Sequence, residues 1–422
     1  MTAHHFFRLT PVALTLLLAA ATSQAQTLSY IGQQIVPTGA QFNGTTVGGL
    51  SGIDYVASLG NYVAISDDRS ALNPARYYTL GLDLAQFTRS ANPGNAGVQF
   101  QSVTTILTPA GAPYAANTLD PEAIRVNPVN GNLFWSNEGQ RSGAGFQNPT
   151  VREMTAAGSH VRDFSVPTRY QPAGTAGGTA AGDSGIFNNL AFESLTLSTD
   201  GRTLYTATEN ALVQDGPTAS LANGSNSRIL SFDMATGRAG AEYVYQVTPV
   251  VLPPAPLGGF LTNGLVEMIA VGDRQFIAME RSFSAGAASP GVGPNGLPTG
   301  YTVRLYAVDA RGATDVSGLD SLTGVSFTAA SKTLLLDLGD LRNDDGSALA
   351  LDNLEGMTLG PVVDGRQTLI LVSDNNFGST QFTQFVALSL APVPELSSLP
   401  MLAGGLGLLL MTRRRRGLSS AG

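Results

Sequence analysis

The chain has 422 residues, of which 49 are glycine and 23 proline, with 13% charged residues, a formal net charge of −8 and no cysteine. Disulfides and thiol chemistry are therefore excluded, and a chain of this size must be held by its core, with metal ions as the remaining cross-link. The acidic balance excludes nucleic acid as an expected partner and favours cations, while the glycine and proline content points to tight turns between short strands.

At the amino end, basic Arg8, an apolar run from Val12 to Ala21 and Ser23-Gln24-Ala25 read as a signal peptide over 1–25, cleaved before Gln26. The run is short of the roughly 20 apolar residues that a membrane-spanning helix needs. The body, 26–391, opens with Thr27 to Val36, a strand with no partner of its own nearby.

Five segments then begin alike: Gly52-Ile53-Asp54-Tyr55-Val56, Pro121-Glu122-Ala123-Ile124, Phe192-Glu193-Ser194-Leu195, Val266-Glu267-Met268-Ile269 and Leu354-Glu355-Gly356-Met357. Each sets a carboxylate just ahead of a short strand. About ten residues on, each has a second strand ending in acids or amides: Asp67-Asp68, Asn137-Glu138, Glu209-Asn210, Glu280 and Asp374-Asn375. Third strands follow at Tyr77 to Leu82, Val151 to Thr155, Arg228 to Phe232, Val303 to Val308 and Gln384 to Leu388. Fourth strands follow in four units, at Val98 to Ile106, His160 to Val166, Ala241 to Val247 and Lys332 to Leu338. The fifth unit lacks one, and Thr27 to Val36 is the candidate to complete it.

Four-stranded units repeating in sequence predict an all-β fold, a β-propeller whose ring is closed by the N-terminal strand. Five blades can be counted, with room for a sixth if 310–352 hides a degenerate one. The units are spaced 68, 71, 74 and 88 residues apart, and the surplus lies in Gly/Pro/Ala/Asn-rich loops such as 171–189, 251–264 and 284–300.

The carboxyl end, 392–422, carries Pro392-Val393-Pro394-Glu395, an uncharged stretch over 396–412 and then Arg413 to Arg416. It resembles a PEP-CTERM sorting tail, with Leu396 where the second proline is expected; the resemblance implies an exosortase-type processing enzyme as a partner. A plain membrane anchor is the alternative. Both place the body outside the cytoplasm, at the cell envelope or beyond.

Inner strands line a propeller's channel, so Asp54, Glu122, Glu193, Glu267 and Glu355 are expected to gather at one rim, with Asp67, Glu138, Glu209, Glu280 and Asp374 returning to the same end. Converging hard oxygens suit Ca²⁺, and this reading assigns Asp54, Asp67, Glu122, Glu138, Glu193, Glu267, Glu355 and Asp374 as metal ligands. The alternative for each acid is a turn cap. Arg69, Arg141 and Arg281 lie close to these acids in sequence and are read as phosphate contacts, with internal ion pairing as the alternative. Catalysis is expected from Glu193, Glu209, Glu280 and Arg281. His160 is the one histidine left in the mature body, so zinc–histidine sites and histidine-based triads have little to work with. Gly182-Asp183-Ser184-Gly185 reads as a loop and Trp135 as core.

The Glu193 segment with Glu209-Asn210, Glu267-Met268 with Met279-Glu280-Arg281, and Asn353-Leu354-Glu355-Gly356-Met357 with Val372-Ser373-Asp374-Asn375-Asn376-Phe377 resemble the phytase-like family labelled "esterase-like activity of phytase". The resemblance spans roughly 45 to 390. It implies a secreted propeller that hydrolyses phosphoesters or binds another anionic small molecule, using Ca²⁺ to polarise the phosphate and acidify a water. A non-catalytic, Ca²⁺-stabilised propeller binding exopolysaccharide or a matrix protein is the rival expectation. Carboxylic-ester hydrolysis is a third, from the family label alone.

Overall fold

A computed structural model describes residues 28–390; the signal-peptide assignment (1–25) and the sorting-tail assignment (392–422, with its apolar segment 396–412) lie outside that range. No helix among the described residues is long and apolar enough to cross a membrane.

Five four-stranded antiparallel sheets make the propeller. Their inner strands are Leu50–Val56, Pro121–Val126, Phe192–Leu197, Leu261–Gly272 and Asn353–Val363, which define blades one to five. The second strands are Asn61–Ser66, Leu133–Asn137, Thr203–Thr208, Gln275–Ser284 and Arg366–Asp374. Each inner strand contacts the inner strands of both neighbouring blades, including blade five against blade one, so the ring is closed. In blade five the outermost place is taken by the N-terminal strand Leu28–Val36, which runs antiparallel to Thr383–Leu390 from Leu28 opposite Leu390 to Val36 opposite Thr383. Closure of this kind removes a sheet edge and ties the two ends of the body together. The closing strand carries a bulge between Tyr30 and Gly32. A Cβ at Gly32 would stand 2.7 Å from the Phe87 carbonyl carbon, so only glycine lets the strand pass there.

Each blade is sandwiched between two others, and its strands therefore read as continuous apolar runs rather than as one-sided alternation. Leu369, Ile370, Leu371 and Val372 show how this works. Leu369 and Leu371 enter the core shared with blade four, and Ile370 and Val372 enter the core shared with blade one. Three further clusters fill the remaining interfaces between blades. Trp135 belongs to the blade one–blade two core and is 1% exposed.

Residues 310–352 hold no sixth blade. They supply the outer strand Ser331–Asp337 of blade four, and the segment before it is strapped to blade three by hydrogen bonds from Val316 N to Glu242 O and from Ala330 N to Val244 O. Arg228 anchors this strap from inside blade three. Its Nε and Nη2 contact Asp215 at 2.6 and 2.9 Å, and its Nη1 contacts Glu242 at 2.9 Å and Leu319 O at 3.0 Å. All three charged side chains are fully buried, so truncating the cation leaves carboxylates that water cannot reach. Arg228→Met is expected to cost about 3–5 kcal/mol, read as a lower urea midpoint at an unchanged slope.

Candidate functional site

A β-bulge in every inner strand builds the site. The register pairs Leu50 with Ser66, Pro121 with Asn137, Phe192 with Thr208, Leu265 with Glu280 and Leu354 with Ser373. The residue following each inner-strand partner sits in the bulge, where the local kink re-aims its side chain. Those residues are Ser51, Glu122, Glu193, Val266 and Glu355. The residue following each second-strand partner stands at the matching place of its blade: Asp67, Glu138 and Glu209 just past the strand end, Asp374 as the last residue of its strand and Arg281 within its strand, opposite Gly264. The ring therefore holds three acids at bulges and four at second-strand places, with an arginine in the fifth such place.

Two of the five inner-strand carboxylates read from the repeat fall outside this ring. Asp54 lies three residues beyond the Ser51 bulge, opposite Val63, and Glu267 lies one beyond Val266, opposite Met279. Both surround Arg125 farther along the channel. Its guanidinium donates to Ile53 O at 2.6 Å, Ile124 O at 2.8 Å and Met357 O at 3.0 Å, and pairs with Glu267 Oε2 at 2.7 Å. Asp54 accepts from Val126 N and Thr358 Oγ1. Arg125 thus ties four blades together across the channel.

In the ring itself, carboxylate oxygens of Asp120, Glu122 and Glu138 lie within 4.8 Å of one another, as do those of Glu122, Glu193 and Glu355, and those of Glu138, Glu193 and Glu209. These six residues are at most 7% exposed. Asp120 escaped the sequence reading, although an acid directly before Pro121 and its inner strand was the available signal. Buried oxygens Asp67 Oδ1 and Glu138 Oε2 have no hydrogen-bond partner. Room for one acid depends on a glycine: a Cβ at Gly264 would stand 2.1 Å from Glu209 Cγ and 2.2 Å from its Oε1. Gly264→Ala is therefore expected to displace the Glu209 carboxylate and cost about 1–3 kcal/mol. Comparing its thermal midpoint with and without Ca²⁺ checks this, with a smaller Ca²⁺ gain expected in the variant.

Burial first, and like charge second, drives the carboxyl pKa values up. Glu122 is raised by burial and by Glu193, Asp120, Asp67 and Glu138, and Glu193 by burial and by Glu138, Glu209 and Glu355. Asp67 is raised by burial and by Asp374, Asp120 and Glu355. Glu209 is pushed by burial up to about 7 against the pull of Arg281, and Asp374 by burial up to about 6. Positive charge enters at two points. Arg281 Nη2 lies 3.0 Å from Glu355 Oε1 and 3.4 Å from Glu209 Oε1. Burial opposes the Arg281 charge, but Glu209 and Glu355 outweigh it and keep the guanidinium protonated. Arg69 pairs with Asp120 and donates to Asn189 Oδ1 at 3.0 Å, with its side chain about one-third exposed.

The other sequence candidates are engaged elsewhere. Glu280 precedes the ring position and accepts from Tyr245 Oη, Thr248 N and Oγ1, Asn263 Nδ2 and Lys332 Nζ. Arg141 is buried under loop 173–186, where it donates to the carbonyls of Thr175, Ser184, Ala173 and Ile186. Turn-capping is the role of Asp68, which accepts from the amides of Ala71, Leu72 and Asn73, and of Asn375, which accepts from those of Gly49 and Phe377.

A cavity of ≈ 460 Å³ opens onto one side of the ring. Glu209, Glu355 and Arg281 reach it, with Asn188, Asn189 and Asn353 and the rings of Phe260, Phe283 and Tyr301 around them.

Residues 45–377 match the family described as "Phytase-like: Esterase-like activity of phytase". The chain belongs to that phytase-like family. No curated protein is significantly similar to it in sequence. Among solved structures, the phytase-like chain is similar to the Dos1 propeller, at 7% identity and a TM-score of 0.31, over 82% of this chain and 69% of that one. A member of the duf4221 family from Bacteroides vulgatus matches at 8% identity and 0.38, over 87% and 99%. An N-acetylgalactosamine deacetylase from F. plautii, solved with blood group B trisaccharide, matches at 10% and 0.40, over 87% and 95%. Likenesses this distant carry no argument about what the phytase-like propeller does.

Proposed function

We propose that this phytase-like propeller is an exported, Ca²⁺-dependent phosphoester hydrolase. The observation that carries the reading is the buried convergence of six carboxylates beside two arginines, Arg281 and Arg69. Every donor in the cluster is a hard oxygen, and two buried carboxylate oxygens, Asp67 Oδ1 and Glu138 Oε2, have no hydrogen-bond partner. This donor set fits Ca²⁺ and has no soft or imidazole ligand for zinc. Asp120, Glu122, Glu138 and Glu193 would hold the ion, with Asp67, Glu355 and Asp374 close by. When bound, the ion supplies Lewis acidity to a phosphoryl oxygen and to water.

The chain's own residues divide the remaining work. Arg281 lines the cavity and carries a fixed positive charge there, which suits it to an anion. Arg69 supplies a second, more exposed charge across the ring. Glu209 borders both the acids and the cavity, and its carboxyl, pushed up to about 7, is suited to take a proton from an attacking water. The bulges hold Glu122, Glu193 and Glu355 on strands rather than on loops, which keeps their spacing rigid. Export, and processing of the tail by an exosortase-type enzyme, would place the site where Ca²⁺ is plentiful.

Burial of the whole cluster favours one second reading, in which the ions are structural and the propeller only binds, for example to exopolysaccharide or a matrix protein. The purified chain assayed on phytate and on an aryl phosphate, with and without chelator, separates the two. Ca²⁺-dependent turnover supports the hydrolase. Ca²⁺-dependent stability with no turnover of either ester rejects it in favour of the binding module.

A further inference from the structure

We infer that the cavity beside Arg281 selects phosphate esters whose alcohol is a flat ring, stacking it on Phe260; the inference rests on the anion-binding reading of Arg281. Three aromatic rings step outward along one wall. Tyr301 forms the inner step, buried and fixed through its hydroxyl oxygen by Gln381 Nε2 at 3.1 Å. Phe283 packs on it with centroids 4.7 Å apart, and Phe260 packs on Phe283 at 6.1 Å, both pairs tilted.

Phe260 ends the series at 67% exposure, yet its backbone is fixed, because its carbonyl accepts from Ala285 N at 2.9 Å. The series leaves an apolar face open to solvent within the same cavity as Arg281. An exposed aromatic on a fixed backbone at a cavity lip is a stacking platform, since covering it removes apolar surface without ordering a loop. The Asn188 and Asn189 side chains also line the cavity, and their oxygens are already engaged by Arg141 N and Arg69 Nη2, each at 3.0 Å. Their amide nitrogens are the donors that remain for substituents on the ring. With the phosphoryl group at Arg281, the leaving alcohol then points along the Phe283–Phe260 wall. A short alkyl alcohol would reach neither ring and gain nothing from them.

Isothermal titration of the Ca²⁺-loaded protein with phenylphosphonate and with methylphosphonate tests this without requiring turnover. Phenylphosphonate is expected to bind about tenfold more tightly. Phe260→Ala should abolish the difference and leave methylphosphonate affinity unchanged, while Phe260→Trp should retain the difference. Equal affinities for the two phosphonates, or a preference that survives Phe260→Ala, overturn the inference and leave the anion site standing. Failure of both phosphonates to bind overturns the anion-site reading of Arg281, and the inference with it.

Discussion

In chelator-treated protein, stability is expected to fall by several kcal/mol as pH rises from about 4 to about 7, the interval set by the raised carboxyls of the ring. Glu209 titrates from 4.5 when unfolded to about 7 when folded, and Asp374 from 3.8 to about 6. Their folded-state pKa values are raised, so the native state binds protons that the unfolded chain has already released. Stability from this source is complete below the unfolded values and is lost as pH climbs through the folded ones. One pKa unit corresponds to about 1.4 kcal/mol, which makes each of these two groups worth about 3 kcal/mol across the interval. Ca²⁺ replaces the protons as the neutralising charge. At 100 times its Kd it adds about 2.7 kcal/mol, so millimolar Ca²⁺ should flatten or reverse the slope near neutral pH. Urea unfolding at a series of pH values, with chelator and with Ca²⁺, measures both curves. A chelator curve that rises with pH through this interval would refute the electrostatic account.

Arg281→Met is expected to lower kcat/KM on an aryl phosphate by about 100- to 1,000-fold while leaving Ca²⁺ affinity unchanged or increasing it. The two effects have opposite signs because Arg281 stands in a ring position that is acidic in the other four blades, at Asp67, Glu138, Glu209 and Asp374. Removing it takes away the positive charge lining the cavity, and it also relieves Glu209 and Glu355 of the cation that competes with a metal for their oxygens. Steady-state kinetics beside a Ca²⁺ titration reads both. Loss of Ca²⁺ affinity in this variant would mean that Arg281 holds the ring together rather than serving an anion.

The blade pattern was legible because each sheet is buried on both faces, which writes its strands as compact apolar runs between turn residues. The closing strand was legible for a related reason: the fifth unit lacked an outer strand, and Leu28–Val36 had no partner nearby in sequence. The phase of the inner strands was not legible. A bulge changes which residue faces the rim without leaving a mark in composition, so Asp54 appeared equivalent to Glu122 when Ser51 holds that place, and Glu267 stood in for Val266.

The same one-residue ambiguity favoured Glu280 over its neighbour Arg281 as the ring position of blade four. Arg141 could not be judged from its nearness to Glu138, because the four carbonyls that surround it come from a loop more than 30 residues away in sequence. Adjacent residues at one acidic strand end take different places: Asp67 stands among the ring acids while Asp68 caps a loop.

Whether the buried ring is a cation site is decided by Ca²⁺ titration of chelator-treated protein beside its Glu193→Gln variant. Glu193 belongs to two of the three carboxylate triads, so the substitution weakens both while keeping shape and hydrogen-bonding capacity. The expected result is saturable Ca²⁺ binding in the unsubstituted protein that weakens about 100-fold or more in the variant. Absence of saturable binding at millimolar Ca²⁺, or equal affinity in the two proteins, would contradict the cation-site reading.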